Sequence, residues 1–280
     1  MSLTAALRRF RHGPLKFLGP VWRILGRAYR AACRLGLSGP KAQKIGPYGP
    51  FLLQPQFAFS DFENWGGAHN GGFTECVEAC RGADCVLDVG GHIGLLALPM
   101  ASAVGAGGRV YTFEPSAANC ASLKAHVALN KLGNVDVINA MVGETDHDAV
   151  TFYEHPGVSG RNGMAVRKNA EDHVRTTRPQ VSLDSFCGAR NLSPRVIKID
   201  VEGAEVQVLR GARALLERAR PMIFLSVHPA ELKLLGSSVE ELAAEIEKTG
   251  YQCREMDGSP IREFRLREYL LLPRSEETPC

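Results

Sequence analysis

The chain has 280 residues and lacks several features that mark well-defined protein classes. Its eight cysteines include no C-x-x-C pair, and no pair of histidines completes the spacing of a zinc site. No run of 18 apolar residues is present, so the sequence does not indicate a transmembrane helix. We therefore expect a cytoplasmic protein with reduced cysteines and without a resident metal ion.

Acidic residues are absent from residues 1–60, which contain ten lysines and arginines. The rest of the chain carries 23 basic and 30 acidic side chains, so a basic arm precedes an acidic body. Residues 1–37 also contain many apolar side chains, with a helical pattern over Val21–Leu35. This segment packs on the body, acts as a targeting sequence, or lies peripherally on the inner face of a membrane. A nucleic-acid partner is the alternative that we expect least.

Glycine and proline punctuate residues 38–50, which predicts a linker and places the start of the globular body near Phe51. From there, two kinds of segment alternate. Apolar runs predict strands at Cys85–Val89, Arg109–Phe113, Val135–Asn139, Val196–Ile199 and Pro221–Val227. Helical patterns lie at Gly94–Val104, Ser116–Lys131, Ala204–Arg218 and Val239–Thr249.

This alternation predicts an α/β protein with a Rossmann-like, doubly wound and mostly parallel sheet. The last two strands, near Tyr251–Met256 and Glu268–Leu272, predict a C-terminal antiparallel hairpin. The alternation breaks between residues 141 and 195, where we expect inserted strands and loops over the sheet edge. The sequence thus divides into an arm and linker over residues 1–50 and one domain over residues 51–280.

The first predicted parallel strand opens into a glycine-rich turn, DVGGHIG, at residues 88–94. Glycines let the backbone pass close to a ligand, and the helix that follows presents free N–H groups. Glu114 ends the next strand, 24 residues after Gly90, where an acid is suited to bind both hydroxyls of a ribose. A dinucleotide fingerprint needs a glycine where this chain has His92, which disfavours an NAD-type oxidoreductase.

A second charged motif is VIKIDVEGAE, at residues 196–205. As the fourth parallel strand, it places Asp200 at the same sheet edge as the glycine turn. Glu202 and Glu205 are three residues apart, so they either stabilise the start of the next helix or contact substrate. His228 precedes a proline at the end of the fifth strand, and is either an acid–base residue or part of a turn.

Together these motifs resemble the FkbM family of S-adenosylmethionine (SAM)-dependent methyltransferases over roughly residues 80–272. The stretches that carry the resemblance are DVGGHIG (88–94), FEP (113–115), INAMVG (138–143), LDSF (183–186), KIDVEGAE (198–205), VLRGA (208–212) and SVHP (226–229). The chain departs from the family pattern at Gly91-His92, where Ala-Asn is usual, and at Ser226, where a glutamate is common. The second departure leaves the fifth strand without an acid and places more acid–base duty on Asp200 and His228.

The resemblance implies a class I SAM-methyltransferase fold, SAM as cofactor, and methyl transfer to a hydroxyl of a sugar, polyketide or similar small metabolite. Together with the glycine turn and the strand-end acid, it leads us to expect cofactor contacts from Asp88, Gly90, Gly91, His92, Gly94, Glu114, Pro115 and Asn139. The candidate catalytic residues are Asp200 and His228, either of which can accept the proton of the hydroxyl. Candidate substrate contacts are Glu202, Glu205 and, on a glycine-rich lid at residues 154–164, His155, Ser159 and Arg161.

Two rival functions stay open beside this one. The first is an NAD-type oxidoreductase, and the second is a non-catalytic binding protein of the same fold that docks on membrane or nucleic acid through its arm. The preferred interpretation takes a small-molecule or glycan acceptor as its partner. For a divalent cation, Asp200 and Glu202 are possible ligands, but the sequence identifies no third one.

Overall fold

The computed structural model describes residues 19–67, 70–165 and 172–274. Its helices are α1 (Gly19–Arg34), α2 (Phe73–Ala79), α3 (Ala97–Val104), α4 (Ala117–Leu129), α5 (Leu183–Gly188), α6 (Glu205–Arg210), α7 (Arg213–Ala219), α8 (Pro229–Leu234) and α9 (Val239–Lys248). Its strands are β1 (Lys41–Ile45), β2 (Tyr48–Leu53), β3 (Cys85–Val89), β4 (Arg109–Phe113), β5 (Val135–Ile138), β6 (Met141–Val142), β7 (His147–Glu154), β8 (Val174–Val181), β9 (Val196–Ile199), β10 (Met222–Val227), β11 (Tyr251–Glu255) and β12 (Arg267–Pro273).

The central sheet has seven strands in the order β11-β12-β10-β9-β3-β4-β5. Strands β3, β4, β5, β9 and β10 are parallel, whereas β12 is antiparallel to both of its neighbours, β10 and β11. The predicted doubly wound, mostly parallel sheet with a C-terminal antiparallel hairpin is therefore confirmed. Its strand order reverses direction at β3, so the carboxyl ends of β3 and β9 flank the place where such folds bind ligands.

The parallel strands are apolar because helices cover both faces of the sheet. Leu87 and Ile197 pack in a core with residues of α5, α6, α7 and α9. Val86 and Val196, one position earlier, pack on the opposite face with residues of α2 and α3. Each fully buried aliphatic side chain contributes about 1.5–3 kcal/mol to folding. This alternation also decides that Lys198, two positions after Val196, lies on the α2 and α3 side.

The helix predicted over Ala204–Arg218 is instead two helices, α6 and α7, which separate at Gly211. A Cβ on Gly211 would lie 2.0 Å from the carbonyl oxygen of Gly143, and the Gly211 carbonyl accepts a hydrogen bond from Asp184. The break thus lets the loop after β6 pass close to the helix. Strands β6, β8 and β7 form a separate three-stranded sheet, which accounts for the irregular stretch after residue 141.

The prediction of a linker over residues 38–50 is wrong from residue 41 onward. Strands β1 and β2 form an antiparallel hairpin there. Ile45 and Leu53 are fully buried and pack with Phe73 and Leu98. The glycines and prolines that indicated a linker belong in part to the hairpin turn, where Gly46 has a φ of +54°. The body therefore begins before residue 51.

Helix α1 confirms the helical pattern of the arm, whose residues 1–18 lie outside the described part of the chain. The ring of Tyr29 packs edge-on against Phe59 with centroids 4.9 Å apart, which attaches the helix to the body. Val21, Ile24 and Leu25 remain 47–67% exposed. Within the described residues, no helix is both long and apolar enough to cross a membrane.

Candidate active site

One cavity of about 770 Å³ lies at the carboxyl edge of the central sheet. Four of the polar residues that the sequence singled out line it, namely Asp88 from β3, Glu114 after β4, Asp200 after β9 and His228 after β10. The expected convergence of the strand-end acids on one cleft is confirmed. The cavity extends from the glycine turn on one side to the antiparallel strands β11 and β12 on the other.

Two close contacts of the backbone require glycine at residues 90 and 91 of the turn. Gly90 has a φ of +96°, and a Cβ there would lie 1.9 Å from the carbonyl oxygen of Asp200. Only a glycine therefore allows the ends of β3 and β9 to come together. At Gly91, a Cβ would lie 2.0 Å from Thr112 Oγ1. The departure from alanine at this position is thus explained by the threonine on the neighbouring strand.

His92 adopts a φ of +49°, in the left-handed region where histidine and asparagine are both enriched among non-glycine residues. Its backbone N–H donates to Glu114 Oε2 at 2.8 Å. Burial lowers the pKa of its ring to about 4, so the ring is neutral at physiological pH. The substitution of histidine for asparagine therefore keeps the backbone conformation of the turn.

Glu114 is 5% exposed, and its Oε1 accepts hydrogen bonds from the backbone of Ser116 and the side chain of Asn119. Burial raises its pKa to about 8, although these hydrogen bonds oppose the rise. Pro115 lines the cavity, whereas Gly94 and Asn139 do not. Asn139 instead donates to the carbonyl oxygens of Glu114 and Pro115, so it fixes the end of β4.

Asp88 is 2% exposed and accepts a hydrogen bond from Thr112 Oγ1 at 3.0 Å. Burial raises its pKa to about 6, while Thr112 and Lys198 counteract that rise. The side chain lines the cavity and is largely ionised at neutral pH. It can therefore bind a cationic group close to the glycine turn.

The catalytic end is a compact cluster around His228. Its Nδ1 lies 2.8 Å from Glu205 Oε1, and its Nε2 lies 3.5 Å from Asp200 and 3.7 Å from Glu202. Glu205 is fully buried and does not line the cavity, so its place is against His228 and not at a substrate. Asp200 and Glu202 both line the cavity.

The charge on His228 follows from these neighbours. Burial by itself lowers the pKa of His228, but the hydrogen bond that its ring donates to Glu205 and the charges of Asp200 and Glu202 outweigh burial and raise it to about 9. One oxygen or nitrogen from each of Asp200, Glu202 and His228 lies within 4.8 Å of the others, a spacing that a shared cation can bridge. At neutral pH the imidazolium itself supplies positive charge at this point.

The predicted lid at residues 154–164 contributes to the cavity through Ser159, Gly160, Asn162, Gly163 and Met164. His155 and Arg161 do not line it. Ser159 exchanges hydrogen bonds with Asn119, the residue that also donates to Glu114. The loop is therefore connected to the end of the cavity that the glycine turn forms.

Among the cavity residues that the sequence analysis did not propose as functional are Lys198, Ser226 and Glu268. Glu268 lies directly opposite Ser226 in the antiparallel pair of β12 and β10. The fifth strand thus has no acid of its own, but a carboxylate reaches it from the adjacent strand. The lysine within an apolar run was the signal in the sequence, because a buried positive charge needs a negative partner. Only the tertiary structure shows that this partner is Glu268.

Residues 88–253 match the family described as Methyltransferase FkbM domain. No curated protein is significantly similar in sequence. Among solved structures, the chain is similar to methyltransferase FkbM from Methylobacillus flagellatus KT, at 19% identity and a TM-score of 0.42. That match covers 69% of this chain and 44% of the other, so this chain spans less than half of that protein's length.

The chain is also similar to a SAM-dependent O-methyltransferase from Thermotoga maritima, at 9% identity and a TM-score of 0.43, covering 85% of this chain and 87% of the other. A third similar structure is Aeropyrum pernix fibrillarin in complex with SAM, at 15% identity and a TM-score of 0.40, covering 69% and 67%. These overlaps are too low to add to what the family match over residues 88–253 shows.

Proposed function

Because the chain belongs to the FkbM methyltransferase family, we propose that it transfers a methyl group from SAM to a hydroxyl of a sugar, polyketide or similar small metabolite. SAM is its cofactor, and methyl transfer is the activity of the family. The choice of a hydroxyl as nucleophile and the class of acceptor are our proposal. They depend on the catalytic end of the cavity.

The residues around the glycine turn fit SAM. Gly90 and Gly91 line the cavity with their backbone, and the carboxyl-bearing residues Asp88 and Glu114 line it beside them. Asp88 would hold the ammonium group of the methionine part, and Glu114 would hold the ribose hydroxyls. When bound, SAM supplies an electrophilic methyl group on a sulfonium. The chain itself has to orient the acceptor, exclude water and remove a proton.

The single observation that carries the proposal is the position of Asp200. Its side chain is 42% exposed into the cleft, and its backbone is in contact with the glycine turn at Gly90. A hydroxyl is a poor nucleophile until it loses its proton, so O-methylation calls for a base close to the methyl group. Asp200 accepts the proton of the acceptor hydroxyl in our proposal.

His228 is then an orienting cation and not the base. With a pKa of about 9 it is protonated at neutral pH, so it has no free lone pair for the acceptor's proton. Its Nδ1–H donates to Glu205, and its Nε2–H faces Asp200 and Glu202. The imidazolium therefore holds the Asp200 carboxylate in position and lowers the repulsion among the three acids.

The far end of the cavity has mixed polarity, which supports a hydroxylated acceptor with apolar faces. Trp65, Met256 and Leu266 supply apolar surface, and Asn70 and Arg267 supply hydrogen-bonding groups. A sugar ring presents the same combination of C–H faces and hydroxyl edges. This lining supports a glycan or small hydroxylated metabolite as the acceptor.

The test combines binding with product analysis. Calorimetry with SAM, S-adenosylhomocysteine (SAH) and NAD comes first, followed by transfer from methyl-labelled SAM to panels of glycans, polyketides and other hydroxylated metabolites. We expect heat with SAM and SAH and an O-methyl product identified by NMR. Heat with NAD alone would favour the oxidoreductase, and an N-methyl product would contradict the choice of a hydroxyl.

We further propose that α1 rests on an anionic membrane surface. Val21, Ile24 and Leu25 are exposed although Tyr29 attaches the helix to the body, and Arg27 is exposed on the same helix. The absence of acidic residues from the first 60 residues makes this side of the molecule complementary to anionic lipid.

Co-sedimentation with vesicles tests that surface. We expect binding to vesicles that contain phosphatidylglycerol, weak binding to phosphatidylcholine alone, and loss of binding in Ile24→Glu. Leu234→Glu, an equally apolar exposed position on α8, is the matched control and should bind like wild type. Binding to RNA or DNA in place of vesicles would support the nucleic-acid alternative instead.

A further inference from the structure

Lys198 is a charged residue in the middle of the central sheet, with 6% of its surface exposed. Its ammonium donates to Ser226 Oγ at 2.6 Å and to the carbonyl oxygen of Ile199 at 3.2 Å. It also forms an ion pair with Glu268 Oε2 at 3.1 Å. Since an ammonium has three protons, these three oxygens match its full capacity as a donor.

Glu268 is held in place by its own surroundings. It lies opposite Ser226 in the register of β12 and β10, and it is 9% exposed. A Cβ on Gly72 would lie 3.1 Å from Glu268 Oε1 and 3.0 Å from the Met256 side chain. The carboxylate therefore has a packed environment on the side away from Lys198. Burying it without a cation would be costly, so its ion pair with Lys198 is a condition for its presence there.

Asp200 lies on another side of the same ammonium. Its Oδ2 is 3.6 Å from Lys198 Nζ, which is beyond hydrogen-bond distance. Lys198 therefore adds positive charge near Asp200 without donating a proton to it. A direct hydrogen bond would occupy a lone pair of Asp200 and stabilise its ionised form, which makes a carboxylate a weaker base.

We propose that Glu268 is a positioning residue for methyl transfer, which keeps Lys198 from pairing directly with Asp200 and so leaves the Asp200 carboxylate available to the acceptor hydroxyl. The inference rests on the proposed function, because it assigns the proton to Asp200. Among the described residues, the side-chain hydrogen bonds and ion pairs of Glu268 are with Lys198 and Ser226. The charge of Glu268 also repels that of Asp200 directly, but its effect on where the lysine ammonium lies relative to Asp200 is transmitted through its contact with Lys198.

The kinetic test uses Glu268→Gln, which preserves the size of the side chain and removes its charge. We expect kcat to fall about 10- to 100-fold, less than the roughly 10²- to 10⁴-fold that a general base contributes, because Asp200 itself remains in place. KM for the acceptor and Kd for SAH should stay at wild-type values, because Glu268 contacts neither ligand in this proposal. The exchange Ser226→Glu with Glu268→Ser returns the carboxylate to Lys198 from the neighbouring strand and should recover most of kcat.

Glu263→Gln is the matched control. Glu263 lies in the loop that connects β11 to β12, does not line the cavity, and pairs with Arg265 and not with Lys198. We expect this variant to keep the wild-type kcat. An equal loss in both variants would show a general effect of charge on this hairpin and would overturn the assignment to Glu268.

A structural measurement makes the inference independent of turnover. In crystal structures of wild type and Glu268→Gln, the distance from Lys198 Nζ to Asp200 Oδ2 should shorten from 3.6 Å to about 2.8 Å, the length of a charge-assisted hydrogen bond. An unchanged distance, or an unchanged kcat in an active enzyme, overturns the role of Glu268. If the wild type bound SAH but methylated no hydroxyl, the proposed function would fail while the shortened distance could still be observed.

Discussion

The two ends of the cavity hold their carboxyl groups in different ways. At the cofactor end, Asp88 and Glu114 are held by backbone N–H groups and neutral side chains such as Thr112. At the catalytic end, Asp200 lies between two buried or nearly buried cations, Lys198 and His228. Burial raises the pKa of both acids at the cofactor end. At the catalytic end, the neighbouring carboxylates outweigh burial and raise the pKa of His228.

This difference suits two tasks. Neutral donors add no opposite charge to these carboxyl groups. Asp88, with a pKa of about 6, is ionised at neutral pH and suits an ammonium, whereas Glu114, with a pKa of about 8, is largely protonated and suits hydrogen bonds to neutral ribose hydroxyls. Fixed cations keep a base ionised and oriented while it waits for a proton. The cofactor end is built almost entirely from residues 88–119, but the catalytic end needs β9, β10 and β12 together. Variants that affect one end and spare the other test the comparison.

The largest expected effect is at Asp200. Asp200→Ala should lower kcat by about 10²- to 10⁴-fold, because it removes the proposed general base. Isothermal titration should find SAH affinity close to that of wild type, since the side chain lies outside the proposed cofactor contacts. Turnover at the wild-type rate would remove Asp200 from the mechanism.

The next effect concerns pH and His228. Its pKa is about 9 in the folded protein against an ordinary value near 6.5, so its stabilising contribution is complete below about pH 6.5 and is lost as the pH rises through 9. The contribution is about 3 kcal/mol of unfolding free energy. Urea unfolding at pH 6.5 and 9.5 should show a larger loss in wild type than in His228→Gln. Equal losses would show that the imidazolium does not stabilise the cluster.

Substitutions at the cofactor end of the cavity should weaken the binding of SAM and SAH. Asp88→Ala and Glu114→Ala should each weaken SAM and SAH binding by about 10- to 100-fold. Asp88 loses a hydrogen bond to a charged ammonium, which contributes about 1.5–3 kcal/mol, and Glu114 loses contacts with two hydroxyls, which contribute about 0.5–1.5 kcal/mol each. SAM affinity should also fall as the pH drops below about 6, where Asp88 becomes protonated. Asp84→Ala is the control, since Asp84 is exposed at the opposite end of β3. Calorimetry that finds all three variants alike would contradict the assigned contacts.

The smallest expected effect is at the glycine turn. Gly91→Ala should destabilise the protein by about 1–3 kcal/mol, because the new Cβ would overlap Thr112 Oγ1. Adding Thr112→Ala should recover part of that loss. Gly107→Ala has open space around its Cβ and should change the melting temperature little. If Gly91→Ala proved neutral, the close packing of β3 against β4 would not explain the glycine.

The sequence predicted the parallel part of the fold closely. Each apolar run and the glycine turn are local patterns, and their buried faces follow from the alternation of residues such as Val86 and Leu87. The hairpin at residues 41–53 was missed because turn residues look alike in a linker and in a hairpin. The break at Gly211 was missed because its cause, the carbonyl of Gly143, is distant in sequence.

For the site, the sequence by itself determined the acids at the ends of consecutive strands, because parallel strands bring their carboxyl ends to one edge. It also assigned Glu205 to the substrate or to a helix start. Glu205 is the first residue of α6, as the second alternative expected, and its carboxylate contacts His228 and does not line the cavity. Only the tertiary structure decided that Glu268 pairs with Lys198, since a β12 residue reaches β9 through strand order and antiparallel register. A buried lysine in a sequence shows that a partner is needed, and the fold decides which carboxylate it is.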